Sequence, residues 1–156
     1  MDYNRIHPNL YVGSCPKTLR DINVLNEIGV TAVLNLQTSD DERYVKIAWN
    51  ALEKSYKSCG IKVRRVPVRD FDPEDLEEKL PACVRELRDL LSTGHVVYLH
   101  CTAGCGRSPT VAIAYLAWER GIALADACDY VHSRRDCSPT VEAIRHEAPS
   151  ARSGRT

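Results

Sequence analysis

Short apolar segments alternate with longer amphipathic segments along most of this chain. Segments 32–36, 61–68 and 96–101 are rich in β-branched and aliphatic residues, a composition typical of strands. Segment 6–13 reads as a hairpin at the edge of a sheet, because Pro8 has no N–H to give to a central ladder. The pattern therefore predicts a sheet of buried strands with one edge hairpin.

Between and after these strands, apolar residues recur at helical spacing. The predicted helices cover residues 18–28, 45–59, 72–91, 109–120, 124–134 and 140–146. The third of them contains Pro81, which predicts an interruption, and the polar, acidic segment 37–43 is predicted to be a loop. Strands that alternate with helices indicate an α/β sandwich.

The length of 156 residues fits one domain, which we place at residues 1–147, followed by a disordered tail at 148–156. Lys plus Arg and Asp plus Glu number 21 each, so charge indicates neither a nucleic-acid nor a membrane partner. No apolar run has the length of a membrane span, and the N-terminus does not resemble a signal peptide. Seven cysteines, an odd number without zinc-ligand spacing, favour a reducing intracellular compartment.

Segment 96–109 carries the strongest chemical signal. A strand ends at Cys101, a loop with two glycines follows, and Ser108 and Pro109 predict a helix start with Ser108 as its cap. A glycine-containing loop between a strand and a helix N-terminus directs backbone N–H groups inward and forms an anion site. We expect the anion to be a phosphate bound by Thr102, Ala103, Gly104, Cys105, Gly106 and Arg107.

Cys101 lies at the floor of this predicted site, where the N–H groups, the helix dipole and Arg107 favour thiolate over thiol. Arg107 offers a planar fork that suits two phosphate oxygens. A thiolate beneath a bound phosphoryl group is a nucleophile in place for attack. A kinase-type P-loop is excluded, because no Gly-Lys-Ser/Thr follows the glycines. The alternative, a buried structural cysteine, requires none of these neighbours.

Transfer of a phosphoryl group to Cys101 needs an acid for the leaving oxygen and then a base for water, and one carboxyl group can serve both steps. Asp70 is the predicted acid, because Asp72 is already engaged as a helix cap; for both, a solvated loop position is the alternative. Ser108 is also predicted to donate its hydroxyl to the Cys101 sulfur. His100 either orders the loop through hydrogen bonds or is a satisfied buried histidine.

Asp70 followed 31 residues later by His100-Cys101-x5-Arg107-Ser108 resembles the dual-specificity branch of the protein tyrosine phosphatases. Within that branch the chain is similar to the glucan phosphatases, the laforin and plant starch phosphatase group. The similar segments are Gly13-Ser14-Cys15, Leu34-Asn35-Leu36-Gln37, Asp70-Phe71-Asp72-Pro73, Cys101-Thr102-Ala103-Gly104-x-Gly106-Arg107, Tyr115-x-x-Trp118, Ser133-Arg134-Arg135-Asp136-Cys137-x-Pro139 and Ala143-Ile144-Arg145.

The resemblance implies a protein tyrosine phosphatase-like three-layer sandwich, with a central, mostly parallel sheet flanked by helices. It implies a metal-free and cofactor-free hydrolase that acts on phosphorylated glucan through a cysteinyl-phosphate intermediate. We expect a monomer in the cytoplasm or a plastid. Two residues depart from the group: Cys105 replaces an aliphatic residue, and Ser108 stands where the plant enzymes tend to have alanine. Asn35 occupies the position of a regulatory cysteine of some plant members, which makes redox control by that pair doubtful.

A glucan substrate requires aromatic rings beside the loop, on which sugars stack. Phe71, Tyr44 and Trp49 are the candidates. Trp49 also fits the apolar face of the predicted helix 45–59, where it would belong to the core. Phe71 and Tyr44 fall in predicted loops and are the better candidates.

Three alternatives share this motif. A dual-specificity protein phosphatase would use the same residues on phosphotyrosine and phosphoserine or phosphothreonine. A phosphoinositide phosphatase is disfavoured, because Thr102 and Cys105 are not cations. A non-catalytic scaffold is disfavoured as well, because Cys101, Arg107 and Asp70 are all present.

Overall fold

Five strands form one sheet in the computed structural model, which describes residues 1–145 and 148–149. In chain order they are β1 (Tyr3–His7), β2 (Leu10–Gly13), β3 (Ala32–Asn35), β4 (Lys62–Arg65) and β5 (Val97–His100). Across the sheet the order is β1-β2-β5-β3-β4, and only β1 and β2 are antiparallel. The predicted edge hairpin and mostly parallel sheet are confirmed.

The described part of the chain also contains six α-helices and one short 3₁₀ turn. The helices are α1 (Leu19–Glu27), α2 (Ser39–Tyr44), α3 (Trp49–Ser58), α4 (Pro73–Ser92), α5 (Arg107–Glu119) and α6 (Leu124–His132), and the 3₁₀ turn covers Val141–Ala143. None of these helices combines the length and the apolarity needed to span a bilayer.

Two hydrophobic clusters lie on opposite faces of the sheet, because successive side chains of a strand alternate between its faces. Val33 and Tyr98 belong to the cluster that contains the buried residues of α1 and α3. Their neighbours Leu34 and Leu99 belong to the cluster of α4, α5 and α6. The predicted three-layer sandwich is therefore confirmed.

The central strand β5 lies between two parallel neighbours that end at the same level. Its last residue, His100, is paired with Gly13 at the end of β2 and with Asn35 at the end of β3. The loop that follows β5 thus leaves the sheet at the carboxyl ends of three parallel strands, where open α/β sheets bind ligands.

The prediction of a loop at residues 37–43 was wrong, since α2 begins there. Thr38 caps the helix by accepting from the N–H of Asp41, and the Asp41 carboxylate accepts in return from the Thr38 N–H. This reciprocal pair starts a helix without any apolar periodicity. The next helix begins at Trp49 rather than at residue 45, because Lys46 has a φ of 58°, a left-handed conformation that a right-handed helix does not contain.

The predicted interruption at Pro81 does not occur, because α4 continues through it. Buried Leu80 and Val84 hold this part of α4 against the core, so packing outweighs the lost hydrogen bond. The helix predicted at 140–146 is reduced to the 3₁₀ turn, and His146 lies outside the described residues. Residues 150–156 of the predicted tail also lie outside them, so the division at 147 stays a prediction.

Candidate active site

The loop between β5 and α5 (residues 101–106, the β5–α5 loop) directs its carbonyl groups toward hydrogen-bond donors of the surrounding protein. The carbonyls of 102–105 accept from the backbone N–H groups of Cys15 and Ser138 and from the Arg135 guanidinium. Within the described chain, none of the N–H groups of 102–107 donates to a protein acceptor. Because C=O and N–H point in opposite directions across a trans peptide, these N–H groups are available to an anion on the other side.

Gly104 allows this loop to lie directly against the end of β2. Its φ is +71°, and a Cβ there would overlap the backbone of Gly13. A side chain at 104 would therefore be excluded by both conformation and space. This explains in physical terms why the motif needs a glycine at this position.

Cys101 and Ser108 are both buried, and their side chains meet with 3.3 Å between Sγ and Oγ. Ser108 does not cap α5, contrary to the prediction: the helix begins at Arg107 after Gly106, with no side-chain cap. Pro109 is consequently the third helical residue rather than the first, a position whose N–H has no helical partner either. The serine hydroxyl is thus directed at the cysteine sulfur instead of the helix end.

Arg107 is 4% exposed and is held from several directions. Its Nη1 donates to Asp41 Oδ2 and to the Val68 carbonyl, both at 2.7 Å. Its Nη2 lies 3.3 Å from Thr102 Oγ1 and 3.4 Å from Asp70 Oδ2. Arg107 Nε is buried with no acceptor among the described residues, so one oriented donor remains for a ligand.

Asp41 was missed by the sequence reasoning, which placed it in a loop. Burial raises the pKa of its carboxyl, but hydrogen bonds from Arg107 and Thr38 outweigh burial and leave that pKa below its ordinary value. Asp41 is therefore a charged partner that fixes the plane of the guanidinium. The Thr38-x-x-Asp41 spacing, a capping-box pattern, was the available signal.

Asp70 lies in the loop between β4 and α4 (residues 66–72, the β4–α4 loop), and its side chain is 38% exposed. Asp72 instead caps α4 by accepting from the Asp75 N–H at 3.0 Å, as predicted. The buried Asp75, also missed, accepts from the Arg69 N–H at 2.8 Å. Burial raises the pKa of Asp75, but the bonds from Arg69 and Lys79 outweigh it and lower the pKa overall.

His100 is buried and its Nδ1 lies 2.9 Å from the Cys101 carbonyl. A carbonyl only accepts, so this nitrogen carries the proton. Burial lowers the pKa of His100 to about 4; the bond to Cys101 raises it, and the charges of Arg107 and Arg65 lower it further. A neutral histidine that orders the loop by hydrogen bonding matches one of the two alternatives left by the sequence.

A cavity of about 260 Å³ joins the two loops. Its walls include Cys101, Arg107 and Asp70, so the fold brings these predicted residues together. Thr102 and Ser108 do not line it but lie behind it, in contact with Arg107 and Cys101. No group of three or more His, Cys, Asp or Glu side chains suited to a metal ion occurs among the described residues.

The three candidate stacking residues have different surroundings. Phe71 lines the cavity, is 97% exposed and has a φ of 55°, which is unusual for a bulky side chain. Tyr44, at the end of α2, is 86% exposed. Trp49 packs at the edge of the core beside Tyr56, and the Arg65 guanidinium lies over its ring, 5.6 Å from the centroid.

Comparison with protein families matches residues 10–146 to the dual specificity phosphatase catalytic domain. The chain is 38% identical over 156 residues to the phosphoglucan phosphatase DSP4 of Castanea sativa, named amyloplastic; the match covers 99% of this chain and 42% of that protein. It is 35% identical over 146 residues to laforin of Mus musculus, with 86% and 44% covered. The chain thus spans less than half the length of these relatives.

The chain is also similar to a protein phosphatase in sequence and to a solved structure in fold. The dual specificity protein phosphatase 2 of Homo sapiens is 31% identical over 130 residues, which cover 83% of this chain and 37% of that protein. Among solved structures, PTPMT1 superposes with a TM-score of 0.78 at 22% identity, covering 99% of this chain and 100% of that one. At this identity the structural match bears on the fold alone.

Proposed function

Because this chain belongs to the dual specificity phosphatase family, we propose that it hydrolyses phosphomonoesters of a glucan through a cysteinyl-phosphate intermediate. One observation carries the proposal. Cys101 lies at the base of a loop whose N–H groups have no acceptor in the described protein, and Arg107 and Asp70 line the same cavity. A nucleophile, an anion site and an acid within one cavity are the parts that phosphoryl transfer requires.

Phosphate binding is the first step. The N–H groups of 102–107 and the helix α5 behind them favour a phosphate dianion at the cavity floor. The unpartnered Nε of Arg107 supplies a further donor, and Asp41 keeps the guanidinium from turning away. Donors fixed before the substrate arrives stabilise the charge that develops on the phosphoryl oxygens without reorganisation.

Transfer to the enzyme follows. The Cys101 thiolate attacks phosphorus, so that an S–P bond forms while the P–O bond to the leaving alcohol breaks. Asp70, protonated, gives its proton to the leaving oxygen, which departs as a neutral alcohol. Its position at the rim of the cavity, more exposed than Cys101, suits a group that must meet leaving groups of different size.

Hydrolysis of the intermediate regenerates the enzyme. Asp70, now a carboxylate, accepts a proton from water as the water oxygen bonds to phosphorus and the S–P bond breaks. The departing sulfur is received by the Ser108 hydroxyl at 3.3 Å, which can donate to the forming thiolate. Inorganic phosphate leaves, and Asp70 is protonated for the next cycle.

Two exposed aromatic rings support a glucan as the substrate. Phe71 adjoins the proposed acid and lines the cavity, and Tyr44 is exposed at the end of α2, the helix that also supplies Asp41. Rings left exposed to water are available to stack against sugars. The phosphoglucan phosphatase DSP4 and laforin are more similar to this chain, at 38% and 35% identity, than dual specificity protein phosphatase 2 is, at 31%.

A protein substrate is the second candidate. It rests on the similarity to dual specificity protein phosphatase 2, which covers 83% of this chain. The same catalytic residues would then act on phosphotyrosine and on phosphoserine or phosphothreonine. In that case Phe71 would pack against a peptide instead of a sugar.

Phosphate release from amylopectin, measured beside release from a phosphotyrosine peptide, separates the two substrates. Glucan activity that exceeds peptide activity supports the proposal, and the reverse moves the protein to the second candidate. Cys101→Ser is the control for phosphate released by a contaminant. A protein that releases phosphate from neither substrate, and from no small aryl phosphate, would contradict the catalytic proposal itself.

The cellular setting extends the proposal. The plant relative from Castanea sativa is named amyloplastic, and the cysteines of this chain are free thiols that suit a reducing compartment. These two observations support our proposal that the activity resides in the cytoplasm or a plastid. We also propose that the protein is a monomer and that it acts without a metal ion, nucleic acid or membrane. Activity that is unchanged by a chelator would support catalysis without a metal.

A further inference from the structure

Arg135 is a buried cation directly behind the β5–α5 loop. Its side chain is 4% exposed although it follows α6 in a segment far from the loop in sequence. Its Nε donates to the Gly104 carbonyl at 2.7 Å, and its Nη2 donates to the Ala103 carbonyl at 3.3 Å. One guanidinium thus holds two successive peptide groups of the loop.

These two contacts determine the direction of two N–H groups. The carbonyls of 103 and 104 share peptide planes with the N–H groups of Gly104 and Cys105. Each carbonyl is drawn toward Arg135, so each N–H is turned to the opposite side of the loop. Neither N–H has an acceptor in the described protein, and Arg135 does not line the cavity that Cys101 lines.

The guanidinium is itself anchored by the N-terminal segment. Asp2 Oδ1 accepts from Arg135 Nη2 at 2.6 Å, and Asn4 Oδ1 accepts from Nη1 at 3.0 Å. The Asp2 backbone is in turn tied to Ser14, whose N–H donates to the Asp2 carbonyl at 2.9 Å. The Arg135 guanidinium therefore donates to the loop on one side and to the N-terminal segment on the other, which fixes its orientation. The Asp2 carboxylate also balances its buried positive charge.

We infer that Arg135 is a positioning residue that aims the N–H groups of Gly104 and Cys105 at the phosphate, and that Asp2 orients it. This inference deepens the proposed function and rests on it. Arg135 touches neither substrate nor the reacting atoms; it acts through the peptide groups that do. The N-terminal segment thereby supports the phosphate site indirectly, although it lies outside the matched family domain.

A merely structural role makes a different prediction. If Arg135 only stabilises the fold, its loss lowers the folded fraction, and kcat per total protein falls while KM stays constant. If it orients phosphate donors, the folded variant binds oxyanions more weakly, so KM for a small aryl phosphate and the inhibition constant of orthovanadate rise together. Measuring KM and kcat separately therefore distinguishes a positioning role, which changes KM, from a purely structural one, which does not.

The decisive variants are Arg135→Met, which keeps the length and loses the donors, and Arg135→Lys, which keeps the charge but not the fork. We expect Arg135→Met to raise KM and the vanadate inhibition constant roughly ten-fold, since two charge-assisted hydrogen bonds to the oxyanion would lose their alignment. Arg135→Lys should recover part of the loss. Arg134→Met is the matched control, because Arg134 is exposed and stacks on Tyr130.

Asp2→Asn provides a milder test, because the Asp2 side chain is 72% exposed and the amide oxygen of asparagine can still accept from Arg135. It should shift KM and the vanadate constant in the same direction by about two- to five-fold, the scale of a weakened charged hydrogen bond. Asp89→Asn, in the last turn of α4, removes the same charge elsewhere on the surface and should change neither constant.

The outcomes are distinguishable. A wild-type protein that neither binds vanadate nor cleaves an aryl phosphate overturns the proposed function. A wild-type protein that does both, beside a folded Arg135→Met variant with unchanged constants, overturns the present inference alone. If Arg135→Met does not fold, Arg135→Lys and Asp2→Asn decide: constants within two-fold of their controls overturn it, and parallel increases support it.

Discussion

The two loops that line the cavity are built in opposite ways. In the β5–α5 loop, the carbonyls of 102–105 are held by the protein, and Cys101 and Arg107 are almost fully buried. In the β4–α4 loop, Asp70 is partly exposed and Phe71 almost completely so. Hydrogen bonds to successive carbonyls thus fix the β5–α5 loop, whereas the β4–α4 loop is anchored by the buried Asp75, which accepts from the Arg69 N–H.

This difference separates two tasks. The phosphoryl group is the same in every phosphomonoester, so a rigid, buried loop can be complementary to it. The alcohol that departs differs between substrates, and an exposed loop can meet a bulky one. Changes in the β5–α5 loop should therefore affect all substrates equally, and changes in the β4–α4 loop should discriminate between them.

The largest effect is expected at the buried thiol. Cys101→Ser should abolish turnover of every substrate, because a hydroxyl is far less acidic than a thiol in this loop, while the fold and phosphate binding largely persist. Turnover of an aryl phosphate measures the first property, and thermal unfolding with and without inorganic phosphate measures the other two. Turnover well above the background of a mock preparation would refute the nucleophile assignment.

Asp70→Ala is the corresponding change in the exposed loop. We expect a loss on the order of 100-fold, the usual scale for a general acid, and a greater loss with glucan than with an aryl phosphate. An aryl leaving group needs less protonation, so kcat for the two substrates should diverge. An equal loss on both substrates would mean that Asp70 supports the loop instead of donating a proton.

The pH dependence of stability tests the buried loop without any substrate. The pKa of His100 is about 4 in the folded protein against an ordinary value of 6.5, so the unfolded chain binds the extra proton between these values. Stability should fall by a few kcal/mol as pH falls from 6.5 to 4, and His100→Gln should flatten this slope in urea unfolding. The pKa of His7 is also lowered, by burial and by the charges of Arg120 and Arg134, so His7 too lowers the stability as the pH falls. The variant His7→Gln measures how much of the slope is due to His7.

Asp72→Ala should mainly lower the free energy of unfolding, by about 1 kcal/mol, because it removes the cap of α4. Its effect on kcat should be small beside that of Asp70→Ala. Chemical denaturation and aryl phosphate turnover of the two variants make the comparison. If Asp72→Ala damages catalysis more than Asp70→Ala does, the roles of the two carboxyl groups are reversed.

The sequence predicted best what local chemistry determines. Cys101 and Arg107 are placed by a strand, a glycine loop and a helix N-terminus that succeed one another within a few residues. Asp72-Pro73 likewise contains its own helix start. In each case the residues that determine the geometry are neighbours in the chain, so a pattern can reveal them.

Tertiary partners were not predictable in the same way. Asp41 reaches Arg107 and Arg135 reaches the β5–α5 loop only after the chain has folded. Of the two roles predicted for Ser108, the contact with the Cys101 sulfur is present, whereas the cap of α5 is not. Pro81 remains within α4 because packing of that helix outweighs one lost backbone bond. Long-range contacts such as these leave little periodicity in the sequence.

The smallest effect on activity, and the clearest discrimination between substrates, is expected from the exposed rings of Phe71 and Tyr44. Phe71→Ala and Tyr44→Ala should lower activity on amylopectin about two- to twelve-fold each, the scale of a lost aromatic contact of about 0.5–1.5 kcal/mol. Activity on an aryl phosphate should be retained, because a small ester contacts the β5–α5 loop but not these rings. Trp49→Ala should lower stability first, since Trp49 packs beside Tyr56.

Phe71→Tyr is the matched control, because it keeps a ring at a position whose backbone already has a positive φ. A variant that keeps the ring should keep amylopectin activity, whereas Phe71→Leu, which keeps bulk without a ring, should lose it. Interactions that a small ester never makes cannot alter its rate, so the ratio of the two activities is the quantity to measure. A fall of equal size on both substrates would show instead that Phe71 holds Asp70 in place, and the division of tasks between the two loops would fail.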